Sequence, residues 1–136
     1  TFYFVANYSG DANNSATTSG CSAEALTVTP TSPSITTQLS TNFVVFGGTV
    51  DVDAQLTGLT SDAGGTVTYD VYFNDTCSGS PYVLGSVAVT NGVTAGPIYQ
   101  TVLAGFGVYY YVAVYSGDAN NAAAQSDCAG APLTVL

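Results

Sequence analysis

The sequence predicts an all-β protein, a two-layered sandwich of about seven short strands preceded by part of a second such unit. Three observations predict it. Apolar and polar residues alternate in several windows, and no window carries the recurrence of an amphipathic helix. Clusters of Gly, Asn, Asp, Ser and Pro break the chain at intervals suited to turns between strands. The string YSGDANN occurs twice, at 8–14 and 115–121, which marks an internal repeat.

The repeat sets the organisation. The two copies lie 115 − 8 = 107 residues apart. Extending the alignment pairs 1–28 with 108–135, and 16 of these 28 pairs are identical, Cys21 with Cys128 among them. A period of 107 residues is the size of a whole small domain rather than of a solenoid turn. Residues 1–28 therefore read as the last two strands of a preceding copy. Residues 29–33, Thr-Pro-Thr-Ser-Pro, read as a short stiff linker. Residues 34–136 read as one complete domain.

The strands of that domain follow in order. Candidates are 35–39, 49–59, 66–73, 85–89, 93–103, 108–115 and 132–136. In the second, Val50, Val52, Ala54 and Leu56 alternate with Asp51, Asp53 and Gln55. In the third, Val67, Tyr69, Val71 and Phe73 alternate with Thr66, Thr68, Asp70 and Tyr72. Breaks fall at 47–48, 61–65, 74–81 and Asn91-Gly92. In 108–115, if Tyr109 faces inward, so do Tyr111, Ala113 and Tyr115. The opposite face carries Tyr110, Val112 and Val114. Strand propensity accounts for these three; the alternative is an apolar stripe for lateral packing between chains.

Composition narrows function. The 136 residues include no Lys, Arg or His, and nine acidic side chains give a formal charge of −9. Binding to nucleic acid needs cations to displace counterions, so no nucleic-acid partner is expected. Without His, Lys or Arg the usual bases, Schiff-base amines and oxyanion clamps are missing, and no enzyme and no cofactor are expected. No apolar run is long enough to span a membrane. Three Cys in a short acidic chain point to an oxidising, extracellular setting. Asn7, Asn13 and Asn74 head glycosylation sequons, which agrees with that setting.

The segment YYYVAVYSGDANN, closing further on with LTV, resembles the bacterial immunoglobulin-like repeat domains found in tandem on large surface proteins. Residues 108–135 carry the pattern and 1–28 carry it again. Gly107-Val108-Tyr109 has the spacing of an immunoglobulin-type tyrosine corner. Cys77-Ser78-Gly79-Ser80-Pro81 is similar to the segment bearing Cys in the cysteine-containing members. The resemblance implies an immunoglobulin-like sandwich in a head-to-tail array, extracellular or on the cell surface. Together with the repeat it implies a Cys77–Cys128 disulfide. Cys21, the counterpart of Cys128, is then left over. Its partner belongs to the missing first part of the preceding domain, unless Cys21 is a buried free thiol or joins two subunits.

Two readings of YSGDANN remain. As a turn, Gly supplies an unusual φ while Asp and Asn bond their own backbone. As a metal loop, Asp118 with Asn120 or Asn121 offers oxygen ligands, too few for a calcium shell and not in the register of a calcium-binding loop. The turn is the expected reading, with no metal. The tail poses a burial problem, because a lone hairpin is marginal in water. It must dock on another copy, either the covalently preceding domain or a separate subunit that it completes by strand addition. The expected function is therefore a structural repeat of an extracellular filament or cell-surface stalk, whose partners are copies of itself. The alternative is an adhesin-type module recognising carbohydrate or a surface protein, with some of the ten Tyr as stacking platforms.

Overall fold

A computed structural model describes residues 1–102 and 105–136. The protein is all-β, with no α-helix among the described residues. The tail holds β1 (Phe2–Phe4), β2 (Asn7–Tyr8), β3 (Thr17–Thr18) and β4 (Glu24–Leu26). β1 pairs with β4 and β2 with β3, both antiparallel, so these four pieces form one interrupted hairpin. At the interruption the Ser19 hydroxyl takes the Ala6 N–H at 2.9 Å, standing in for a ladder carbonyl.

Residues beyond the tail form β5 (Ser34–Leu39), β6 (Phe43–Val44), β7 (Thr49–Thr57), β8 (Thr66–Tyr72) and β9 (Tyr82–Thr90). There follow β10 (Val93–Thr94), β11 (Ile98–Thr101), β12 (Gly107–Tyr115), β13 (Ala124–Gln125) and β14 (Pro132–Val135). One sheet runs β11-β7-β5; the other runs β10-β9-β8-β12-β14-β6, with β13 also on β12. The only parallel pair among the named strands is β14 with β6. Val50, Val52 and Ala54 of the small sheet join Val67, Tyr69, Val71, Tyr111, Ala113, Tyr115 and Leu133 of the large one in a single core. The arrangement is consistent with a β-sandwich.

The alternation read from the sequence is the alternation that is buried. Tyr109, Tyr111, Ala113 and Tyr115 all face the core. On the other face, Tyr110 and Val114 are half-buried, but Val112 is wholly buried. A 3-10 turn, Cys128–Gly130, packs against β12. At the start of β12 the Tyr109 hydroxyl donates to Gly105 O at 2.8 Å, the backward bond that the Gly-x-Tyr spacing predicts.

Two expectations need correction, and one strand was not foreseen. The strand expected over 93–103 is two strands in different sheets. β10 closes a two-residue hairpin on β9 at Asn91-Gly92, whose φ values of 50° and 75° suit a turn with both central residues left-handed. Gly96, at φ 102°, and Pro97, which has no N–H, then end the ladder, and β11 crosses to pair with β7. Leu103 lies outside the described residues. Phe73 falls just beyond β8 and is exposed, with its ring edge-on to Tyr109 at 5.2 Å. The short strand β6 was not expected. It carries the chain from the small sheet to the edge of the large one, where Leu136 N–H donates to Val44 O at 3.0 Å.

The domain has two poles at the ends of β12, nine residues or about 30 Å apart. The entry pole holds the start of β5, the end of β12 and the turn that follows it. The exit pole holds β6, the start of β12 and the end of β14.

Candidate functional site

The turn in YSGDANN is built around Asp118. Gly117 sits at φ 72°, and a Cβ there would meet Asn121 O at 2.6 Å, so glycine is required. Asp118 N–H donates to Asn121 O at 2.9 Å. Asp118 Oδ1 accepts from the N–H groups of Asn120 (2.8 Å) and Asn121 (2.9 Å), and from Asn121 Nδ2 (2.8 Å). Its Oδ2 accepts from Gly64 N–H at 2.7 Å. The Gly64 N–H, then the Asn121 amide and the Asn120 N–H, hold the carboxyl down at about 2. Both oxygens of Asp118 therefore face donors of the protein itself. No group of three or more His, Cys, Asp or Glu able to hold a metal comes together among the described residues.

Asn121 extends the turn into a clasp. It is 1% exposed. Its Oδ1 accepts from the Thr31 hydroxyl and from Thr60 N–H, both at 2.9 Å. Its Nδ2 donates to Thr60 Oγ1 at 2.9 Å as well as to Asp118. The backbone of Thr31 is bound too: its N–H donates to Asn120 O and its carbonyl accepts from Ala122 N–H, each at 2.9 Å. Tyr115 hydroxyl donates to Gly64 O at 2.8 Å. Thr31 is the middle residue of the stretch read as a linker. That stretch is not free chain, because the turn grips it where it enters the domain.

The tail carries the same turn without the clasp. Asp11 N–H donates to Asn14 O at 2.9 Å, and Asp11 Oδ1 accepts from Asn13 N–H and Asn14 Nδ2, both at 2.8 Å. Strand register repeats as well. Phe2 pairs with Leu26 as Tyr109 pairs with Leu133, and Tyr8 pairs with Thr17 as Tyr115 pairs with Ala124. Even the bond that Ala6 N–H donates to Ser19 Oγ has its match in Ala113 N–H donating to Ser126 Oγ. The two copies differ in the contacts that residues 31–107 make with the second. Ser126 also bonds the Thr37 hydroxyl at 2.7 Å, in the core. Tyr8 has no counterpart of Gly64 and turns its hydroxyl to Asp11 Oδ2 at 3.3 Å. Phe2, Phe4, Tyr8, Leu26 and Val28, whose counterparts are buried, are exposed.

Two of the three cysteines pair. Cys77 and Cys128 form a disulfide with Cα atoms 5.7 Å apart, 51 residues apart in sequence. It ties the loop after β8 to the 3-10 turn beside β12. Cys21 is exposed and free. Of the sequon residues, Asn7 and Asn13 are exposed. Asn74 is half-buried and organises the loop that leads to Cys77: its Nδ2 donates to Ser78 O at 2.9 Å, and its Oδ1 accepts from Thr76 Oγ1 at 2.7 Å.

Sequence reading found the turn and missed the residues it holds. Thr31, Thr60 and Gly64 lie in ordinary Thr-, Ser- and Gly-rich stretches, and only their distance from Asn121 and Asp118 in the fold marks them. No family model matches the chain, and no curated protein matches it.

Proposed function

We propose that the chain is one repeat, together with the end of the repeat before it, of a head-to-tail array of immunoglobulin-like domains forming an extracellular filament or cell-surface stalk. One observation carries the reading. Residues 1–28 keep the register and turn of β12–β14 while exposing the apolar face that those strands bury. Exposed Phe, Tyr and Leu on a short hairpin need a partner surface. The surface that fits is a copy of β5–β11. In residues 34–136 that place is already filled by β12–β14, so the tail belongs to another copy.

Other features support it. The split first strand, β5 in one sheet and β6 in the other, and the Tyr109–Gly105 bond suit an immunoglobulin-like sandwich. The disulfide suits an oxidising exterior. No helix is long and apolar enough to cross a membrane among the described residues. The absence of Lys and Arg removes every trypsin site, which favours persistence outside the cell.

The experiment places a copy of residues 30–107 in front of residue 1, which supplies the tail with a β5–β11. The result expected is that Cys21 pairs with the added copy of Cys77, so that thiol titration falls from one free thiol per chain to none. The amides of Ala6 and Ser19 become slow to exchange. A Cys21 that stays reactive on a tail that still exchanges freely would overturn the reading.

A further inference from the structure

The exit pole ends in a cluster of exposed apolar side chains. Val45, Phe46, Phe106 and Leu136 are all exposed, Phe106 to 78%. The rings of Phe46 and Phe106 stack at 5.9 Å with a 51° tilt. Phe46 N–H donates to Leu136 O at 3.0 Å, so Leu136 lies beside this pair of rings. Phe43, Phe73, Tyr82, Val93 and Tyr99 are exposed elsewhere on residues 34–136, but the cap is where two exposed rings meet beside the outgoing chain, as a contact surface requires.

The junction inside the chain says what lies against it. By the 107-residue offset, Thr29 is the counterpart of Leu136. Only Pro30 separates Thr29 from Thr31, which is gripped by Asn121 of the following domain. Successive Cα atoms are about 3.8 Å apart, so Thr29 and Thr31 lie within about 7.6 Å of each other. An exit pole and the next entry pole cannot part by more than such a link allows.

We infer that the cap of Val45, Phe46, Phe106 and Leu136 packs on the entry pole of the next copy, over the Thr31 clasp. The inference rests on the array reading and adds its joint. The entry pole suits the contact. It offers exposed Pro30 and Thr31 beside half-buried Pro33 and Thr60, and its Asp118 carboxylate is turned onto Gly64, Asn120 and Asn121. A gripped linker on one side and an aromatic cap on the other make the joint stiff rather than hinged.

The test uses the 136-residue chain and the same chain extended after Leu136 by a second copy of residues 30–136. Phe46→Ser with Phe106→Ser is introduced in the first copy of each, and Phe106→Ser alone serves as the milder variant. In the 136-residue chain both variants are expected to leave the Tm within about 3 °C, because the rings lie at the surface. In the extended chain the first domain is expected to unfold about 5 °C higher, and the double variant to cancel that gain. An extended chain with no gain, or with a gain the substitutions leave intact, overturns the inference. So does an equal loss in both chains, which would make the rings part of their own domain. The array reading is judged apart, by whether the appended copy forms its own Cys77–Cys128 bond.

Discussion

The Thr31 hydroxyl donates to Asn121 Oδ1 at 2.9 Å, across 90 residues of sequence. This bond joins the first residue docked on the domain to the last residue of the repeated string. It explains why the string ends in a second Asn. Asp118 shapes the turn, and Asn121 holds what the turn must hold.

Asn121→Ala is expected to destabilise the domain by about 3 kcal/mol, because Thr60 N–H and the Thr31 hydroxyl lose a buried acceptor. Asn14→Ala, the same change in the exposed tail turn, is expected to cost under about 0.5 kcal/mol. Urea unfolding of the two variants measures the contrast. Equal effects would mean that the clasp contributes nothing beyond the turn.

Asp118 gives the fold an acid-sensitive element. Its carboxyl is held at about 2 in the folded state against an ordinary value of 3.8. A depressed carboxyl stabilises above its unfolded pKa and loses that contribution as pH falls through the folded one. The stabilisation is therefore present above about pH 4 and fades towards pH 2. Asp118→Asn is expected to flatten the slope of stability against pH in that window, read by urea titrations at several pH values. An unchanged slope would place the acid sensitivity elsewhere.

Asp70 has the opposite sign. It lies between Val83 and Val112 on the outer face of the large sheet, with Oδ1 buried and without a partner. Burial pushes its carboxyl up. Asp70→Val is expected to stabilise the protein at pH 7 by about 1 kcal/mol, since it removes an unpaired acceptor from an apolar neighbourhood. A loss of stability in thermal unfolding would show that Asp70 has a partner worth keeping.

The disulfide carries much of the remaining stability in a chain without basic side chains. With Cys77 and Cys128 at a sequence separation of 51, chain entropy gives about 4 kcal/mol. Replacing both with Ser is expected to lower urea-unfolding stability by about that amount. Reduction of the native protein is expected to match it.

The sequence makes the long strands legible because period-two alternation and burial coincide there. Val50, Val52 and Ala54 are one case, and Tyr109 to Tyr115 another. It hides β6, whose two residues are too few to show a period. It also ran β10 and β11 together, because apolar residues continue on both sides of Gly96-Pro97 although that pair ends the ladder. The disulfide was legible through the resemblance and the repeat. The clasp was not, because Thr31, Thr60 and Asn121 acquire their roles only when the chain folds them together. The aromatic cap was equally silent: Phe46 and Phe106 sit beside glycines in unremarkable loops, 60 residues apart in sequence.

The intact mass of the protein as isolated from its source, with and without reductant, tests the central claim most directly. A covalent array of these domains predicts a mass many times the 13.7 kDa of this chain, unchanged by reductant. A mass of one chain, or one that falls to a single chain on reduction, would contradict it and make the tail a strand donated between separate subunits.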